Sequence, residues 1–141
     1  MKTKVWLFLA MVVIAGLLSW VFLLGFKMNS SNNGKIVIVT KADNGKELSL
    51  VSGDTLELQL ETAGATGYDW YSDSLNAAHL QLISEKTQDQ GKSGMVGAPV
   101  VKTWKFKLLK PGKTSLSLDY YRVWEGKNSA IDHFAVGLSI K

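Results

Sequence analysis

The chain is 141 residues long with a formal charge of +4 at neutral pH and no cysteine. One domain with a short appendage fits that length, and the missing cysteines exclude disulfides, a thiolate nucleophile, Cys-based zinc sites and a lipidated cysteine. The charge is mild and no basic block carries interleaved aromatics, so nucleic-acid binding has no support.

Lys2 and Lys4 precede Val5 to Phe26, an uncharged stretch rich in Val, Leu, Ile, Phe, Ala and Trp. A helix of that length spans roughly 30 Å, the thickness of a bilayer core. A secretory signal is the competing reading, but its apolar part is usually about 7–15 residues and ends at small residues. Here the run ends Leu23-Leu24-Gly25-Phe26-Lys27-Met28, without an Ala-x-Ala pattern. The expectation is an N-terminal transmembrane helix over 1–27, an anchor or uncleaved signal. Lys2 and Lys4 would hold the N-terminus in the cytoplasm, leaving the domain extracytoplasmic, periplasmic or on the cell surface; cleavage would make it secreted. Residues 28–34 are polar and without periodicity, a linker.

From Lys35 the pattern turns to period 2, which predicts strands. Lys35–Thr40 is β-branched. Asp43-Asn44-Gly45-Lys46 carries Asn-Gly, the strongest two-residue turn signal. Glu47–Val51 follows. Thr55–Glu61 then sends Leu56, Leu58 and Leu60 inward and Glu57, Gln59 and Glu61 to water. Gly64 and Gly67 interrupt the chain just before Tyr68 and Trp70, two aromatics that share one strand face. Tyr68–Tyr71 begins a strand, and 74–79 is irregular, with room for one turn of helix. His79–Glu85 reads as a strand and Thr87–Ala98 as a long polar loop, a length that often carries function.

Val101–Leu108 puts Trp104, Phe106 and Leu108 on one face. Lys102, Lys105, Lys107 and Lys110 read as a solvated face. Pro111-Gly112 makes a turn and Thr114–Tyr121 alternates again. Val123–Ser129 is a loop containing Trp124, and His133–Ile140 closes the chain with Phe134, Val136, Leu138 and Ile140 together. About seven or eight short strands roughly ten residues apart, each with one apolar face, predict an all-β fold. The reading is an immunoglobulin-like β-sandwich over 35–141, with a small closed barrel as the alternative.

No catalytic constellation is present. His79 and His133 read as surface or strand-end residues, and Asp132 and His133 point to opposite faces of a strand. No phosphate-binding glycine loop, metal-ligand spacing or nucleophile motif occurs, so the expectation is a non-enzyme without metal, cofactor or small-molecule substrate. Binding by loops is the better reading.

Three loop motifs, in this order and spacing, resemble the chagasin family, the I42-type inhibitors of papain-like cysteine peptidases. They are Ala65-Thr66-Gly67-Tyr68-Asp69-Trp70, then Gly97-Ala98-Pro99 followed closely by Trp104-Lys105-Phe106, then Tyr121-Arg122-Val123-Trp124-Glu125. The resemblance covers Lys35 to Lys141. It implies a sandwich with three neighbouring loops at one end that block a peptidase cleft reversibly. By position, Ala65, Thr66, Gly67 and Tyr68 would face the peptidase's catalytic centre. Gly97, Ala98 and Pro99 would make a second contact, and Arg122 and Trp124 a third. Read without the resemblance, Trp124 is equally a core residue at a strand end. The chain departs from the family where a typical Asn-Pro-Thr becomes Ala63-Gly64-Ala65, where the last glycine of the second loop becomes Val100, and where the proline of the third becomes Val123. Each change lowers preorganisation or close approach, which implies weaker affinity or a different target. A sandwich of the same descent that no longer inhibits, acting in adhesion or assembly at the envelope, is the alternative function.

Overall fold

The computed structural model describes residues 34–72, 74–89 and 100–141. The anticipated N-terminal helix therefore lies outside the described residues, and no helix among them is long and apolar enough to cross a membrane. Eight strands form: β1 (Ile36–Thr40), β2 (Glu47–Leu50), β3 (Thr55–Thr62), β4 (Tyr68–Ser72), β5 (Leu80–Asp89), β6 (Val100–Leu108), β7 (Gly112–Arg122) and β8 (Asp132–Ile140). They assemble as two four-stranded sheets, β1-β3-β6-β5 and β2-β8-β7-β4. The closed barrel is not what forms: each sheet keeps its own two edges. With β2 set aside, β1-β3-β6-β5 facing β8-β7-β4 is the four-on-three order of an immunoglobulin constant-type sandwich. Two pairings depart from an all-antiparallel plan, since β1 runs parallel to β3 and β2 parallel to β8.

The alternation seen in the sequence builds the core. Leu56, Leu58 and Leu60 of β3, Trp104, Phe106 and Leu108 of β6, Leu116 and Leu118 of β7, and Phe134, Val136, Leu138 and Ile140 of β8 are all buried between the sheets. Period-2 side chains on a sheet with one covered face leave no other arrangement.

Four readings are refined or corrected. The Asn44-Gly45 turn forms, with Gly45 at φ 79°, but it joins strands of different sheets rather than closing a hairpin. The Gly45 N–H donates to the Ala135 carbonyl at 2.7 Å, and the Ala135 N–H donates to Asn44 Oδ1 at 2.7 Å. Those bonds dock the turn on β8. Thr87, Gln88 and Asp89, read as loop, continue β5, because β6 offers a pairing edge as far as Val100. An edge strand beside one partner needs no apolar alternation to form. Residues 76–79 form a turn, with the His79 N–H donating to the Asn76 carbonyl at 2.9 Å.

Of the lysine run, Lys110 is exposed and Lys105 and Lys107 keep partial exposure on the outer register, but Lys102 departs from a solvated face. Lys102 shares the inward register of Trp104 and is buried, with only 7% of its surface exposed. Lys105 pairs with Glu57 at 3.1 Å, and Lys107 donates to the Gly53 carbonyl. Glu57 is drawn in by the same pairing.

Candidate functional site

The strand registers bring three connections to one pole. Thr62, the end of β3, pairs with Val100, the start of β6, and Val100 pairs with Asp89, the end of β5. In the other sheet Tyr68, the start of β4, pairs with Arg122, the end of β7, and Tyr120 pairs with Asp132, the start of β8. The connections 63–67, 90–99 and 123–131 therefore leave from the same end. The segment holding Gly97, Ala98 and Pro99 lies outside the described residues; its flanks Asp89 and Val100 are within them.

The first connection is a tight turn of small residues. The Thr66 N–H donates to the Ala63 carbonyl at 3.0 Å, and Thr66 Oγ1 donates to the same oxygen at 2.8 Å. The Ala63 N–H donates to the Tyr120 hydroxyl at 2.9 Å. Thr62 Oγ1 donates to the Tyr68 carbonyl at 3.0 Å, closing the base of the loop. Ala65, Thr66 and Gly67 are exposed, and Tyr68 is half-buried. Tyr68 and Trp70 share one side, as their spacing requires: Tyr120 stacks on Tyr68 with ring centroids 5.5 Å apart and lies 4.8 Å from Trp70. Trp70 is buried, and its Nε1 donates to the Glu61 carbonyl at 2.9 Å. The aromatics thus root the loop in the core while its tip stays bare.

The third connection meets the first directly. Arg122 Nε donates to the Thr66 carbonyl at 3.0 Å. Its guanidinium lies 4.5 Å from the Tyr68 ring and 5.9 Å from the Trp124 ring, and it pairs with Glu125 at 3.2 Å. Gly67 has φ 78°, a conformation that favours glycine. A Cβ there would sit 2.1 Å from Trp124 Cη2, so the indole lies flush against the glycine backbone. Trp124 is 69% exposed, which sets aside the reading that makes it a core residue. Val123 and Ile131, at the two ends of the same connection, are exposed as well.

Buried charge sits beneath these loops, between partners that no local sequence pattern connects. Lys102 reaches Asp69 of β4 at 2.6 Å and Glu85 of β5 at 2.8 Å. Burial works against its charge, but the bonds from Asp69 and Glu85 prevail and hold its pKa above the ordinary lysine value. On the outer side of β7, Asp119 is buried, hydrogen-bonded to His133 Nδ1 and paired with Lys127 at 3.2 Å. Burial opposes its ionisation, yet His133 and Lys127 prevail and hold the carboxyl below the usual aspartate range. His133 is exposed, and His79 sits at a strand end with Nδ1 3.0 Å from the Lys110 carbonyl. Among the described residues no cluster of His, Asp and Glu has the make-up of a metal site.

Comparison with known proteins agrees with these features. The chain matches the model of the chagasin family of peptidase inhibitors, I42, over residues 49–138. It is 33% identical to amoebiasin-2 of Entamoeba histolytica over 101 residues, covering 68% of this chain and 78% of that protein. It is 28% identical to chagasin of Trypanosoma cruzi over 105 residues, covering 71% of this chain and 94% of that one. The crystal structure of EhICP2, a cysteine protease inhibitor of Entamoeba histolytica, superposes with a TM-score of 0.69 at 28% identity, covering 76% of this chain and 96% of that one. The family is one of peptidase inhibitors rather than enzymes, and on the strength of both the family match and the 33% identity to amoebiasin-2 this chain belongs to it.

Proposed function

We propose that this protein is a reversible inhibitor of papain-like cysteine peptidases that blocks the target's cleft with three adjacent loops. The observation that carries the reading is the contact between the first and third loops. Arg122 holds the Thr66 carbonyl and Trp124 lies on Gly67, so two loops present one continuous edge. Ala65, Thr66, Gly67 and Tyr68 would enter the cleft, where small residues let backbone approach closely. Arg122 and Trp124 would pack on one flank, Trp and Arg being the residue types that most often anchor interfaces. Gly97, Ala98 and Pro99 would reach the other flank. The similarity to a solved cysteine protease inhibitor supports the choice of peptidase class.

The test is titration of papain with the full chain, kept in mild detergent because of its apolar N-terminal segment. Inhibition at submicromolar concentration, weakened by at least tenfold on Trp124→Ala, is the expected outcome. No inhibition at micromolar concentration would favour the second reading, a non-inhibitory envelope module, whose motivation is the substituted Ala63-Gly64-Ala65, Val100 and Val123.

The anchoring reading is part of the same proposal. Residues 5–26 would cross the membrane, with the domain on the extracytoplasmic side. In the domain itself Ile36 pairs with Thr55, the start of β3, and the Lys35 N–H donates to Asp54 Oδ1 at 2.9 Å. The chain thus enters at the pole opposite the three loops, which supports a tether that leaves the loops unobstructed. Membrane fractions that resist alkaline extraction are expected to retain the protein. Mature protein beginning near Met28 in the soluble fraction would overturn the anchor.

A further inference from the structure

We propose that Lys102 is a positioning residue that fixes β4, the strand leaving the first loop, against β5 and β6, and that its charge is kept for that purpose rather than for stability. This rests on the inhibitory reading above. Lys102 occupies the inward register of β6, two residues before Trp104, where an aliphatic side chain would fill the core. Its Nζ instead bridges two carboxylates on different sheets. Asp69 lies two residues after Gly67, on the strand that leaves the first loop. Glu85 lies on β5, the strand that runs into 90–99. Lys102 itself stands three residues after Pro99. A single ammonium therefore touches the strands that flank both loops.

The geometry is confined at each partner. Asp69 Oδ1 accepts from the Trp70 N–H at 2.8 Å, which leaves Oδ2 for the lysine. The Lys102 Nζ also lies 5.3 Å from the Trp104 ring centroid. The two sheets share no ladder, so the spacing of their loops depends on side chains that cross between them. Near this pole the crossings include Thr62 to the Tyr68 carbonyl, Trp70 to the Glu61 carbonyl, the Ala63 N–H to the Tyr120 hydroxyl of β7, and the Lys102 bridge. The first two fix β4 against β3 alone. The Lys102 bridge brings in β5 as well. Buried ion pairs are often no more stabilising than an apolar side chain of like volume, and their best-attested use is in specifying one arrangement.

The experiment uses the full chain with Lys102→Met, Lys102→Arg, Asp69→Asn and Glu85→Gln. Besides the melting temperature, two readouts are taken: inhibition of papain, and amide hydrogen exchange of residues 64–67 in the free protein. Lys102→Met is expected to fold with a melting temperature close to the parent's, to exchange faster at 64–67 but not in β7 or β8, and to inhibit about tenfold more weakly. Lys102→Arg is expected to restore both readouts in large part. If Lys102→Met does not fold, Asp69→Asn and Glu85→Gln decide, because those carboxylates are partly exposed and tolerate neutralisation; each is expected to speed exchange at 64–67. Unchanged exchange in every folded variant overturns the proposal. Should the parent chain fail to inhibit papain, the functional reading falls, while the exchange data still decide the role of Lys102.

Discussion

Gly67→Ala tests the contact between the first and third loops most sharply, and its size can be worked from two contributions. Gly67 has φ 78°, where an L-residue costs about 1–2 kcal/mol. The added Cβ would also meet Trp124 Cη2 at 2.1 Å, with Cζ2 at 3.0 Å and Cζ3 at 3.1 Å. Carbon atoms prefer about 3.5–4.0 Å, so the indole must move by more than an ångström or swing off. Since Trp124 is 69% exposed, it has solvent to move into. The clash therefore adds little to the folding cost, about 0.5–1 kcal/mol for lost contact and cation–π attraction. Gly45→Ala is the control: Gly45 has φ 79° and nothing within 4 Å of its virtual Cβ. Urea midpoints at constant slope should place Gly45→Ala about 1–2 kcal/mol below the parent and Gly67→Ala slightly lower.

Inhibition should separate the two variants far more. Displacing an anchoring tryptophan costs about 2 kcal/mol or more, roughly thirtyfold in the inhibition constant. Gly45→Ala should leave that constant unchanged. In a Trp124→Ala background Gly67→Ala should lose the part of its extra effect that runs through the indole, because the atoms it collides with are gone, and keep only what the methyl costs inside the cleft. A Gly67→Ala protein that inhibits as well as Gly45→Ala would refute the reasoning, and so would an extra effect that is undiminished by removal of Trp124.

Three further outcomes are expected. Trp70→Phe keeps most of the buried ring but leaves the Glu61 carbonyl without its 2.9 Å donor, so the urea midpoint should fall by the equivalent of about 1–3 kcal/mol. Arg122→Lys loses the Nε–H that holds the Thr66 carbonyl and the planar stack on Tyr68. Stability should change by under about 1 kcal/mol, while inhibition weakens about tenfold, the worth of one charge-assisted hydrogen bond. Asp119 has a folded pKa below its ordinary value, so the stability it contributes is complete above the unfolded value of about 4 and is lost as pH falls through the folded one. Asp119→Asn should therefore be less stable at neutral pH and show a shallower loss as pH falls below about 4 in urea titrations. Asp43, Glu57 and Asp132 are shifted the same way and keep part of the slope.

The alternating runs made the sandwich legible because a half-buried strand leaves a period-2 trace. Leu56, Leu58 and Leu60 could be placed inward from β3 alone, and they are buried. Lys102 carried the same signal through its parity with Trp104, but its partners Asp69 and Glu85 stand on other strands and no local pattern reaches them. Asp119 was hidden in a different way: its register points away from the core, and its burial comes from His133 and Lys127, which the β7–β8 pairing brings over it. Among the candidate site residues, Thr66, Gly67, Arg122 and Trp124 were legible through the loop motifs. That Arg122 would grip the Thr66 carbonyl was not, since it needs the register that sets Tyr68 opposite Arg122. The extension of β5 to Asp89 was missed because a polar edge strand is held by its neighbour's backbone rather than by its own side chains.

The loss of proline from the first loop need not leave it loose. A proline there would restrict the unfolded chain, an effect of about 0.4–1 kcal/mol. Here order comes from outside the loop. Tyr120 accepts from the Ala63 N–H and Arg122 donates to the Thr66 carbonyl, and both residues belong to β7. That strand is paired on both sides, with β4 and with β8, so it is a rigid template for the turn beside it. The brace engages the two ends of the turn through backbone groups and leaves Gly64 and Ala65 uncovered between them. Rigidity supplied from β7 thus spares the tip any bulky side chain of its own. A turn stiffened by its own proline would carry a ring on the surface that, under the proposed function, would enter a narrow groove.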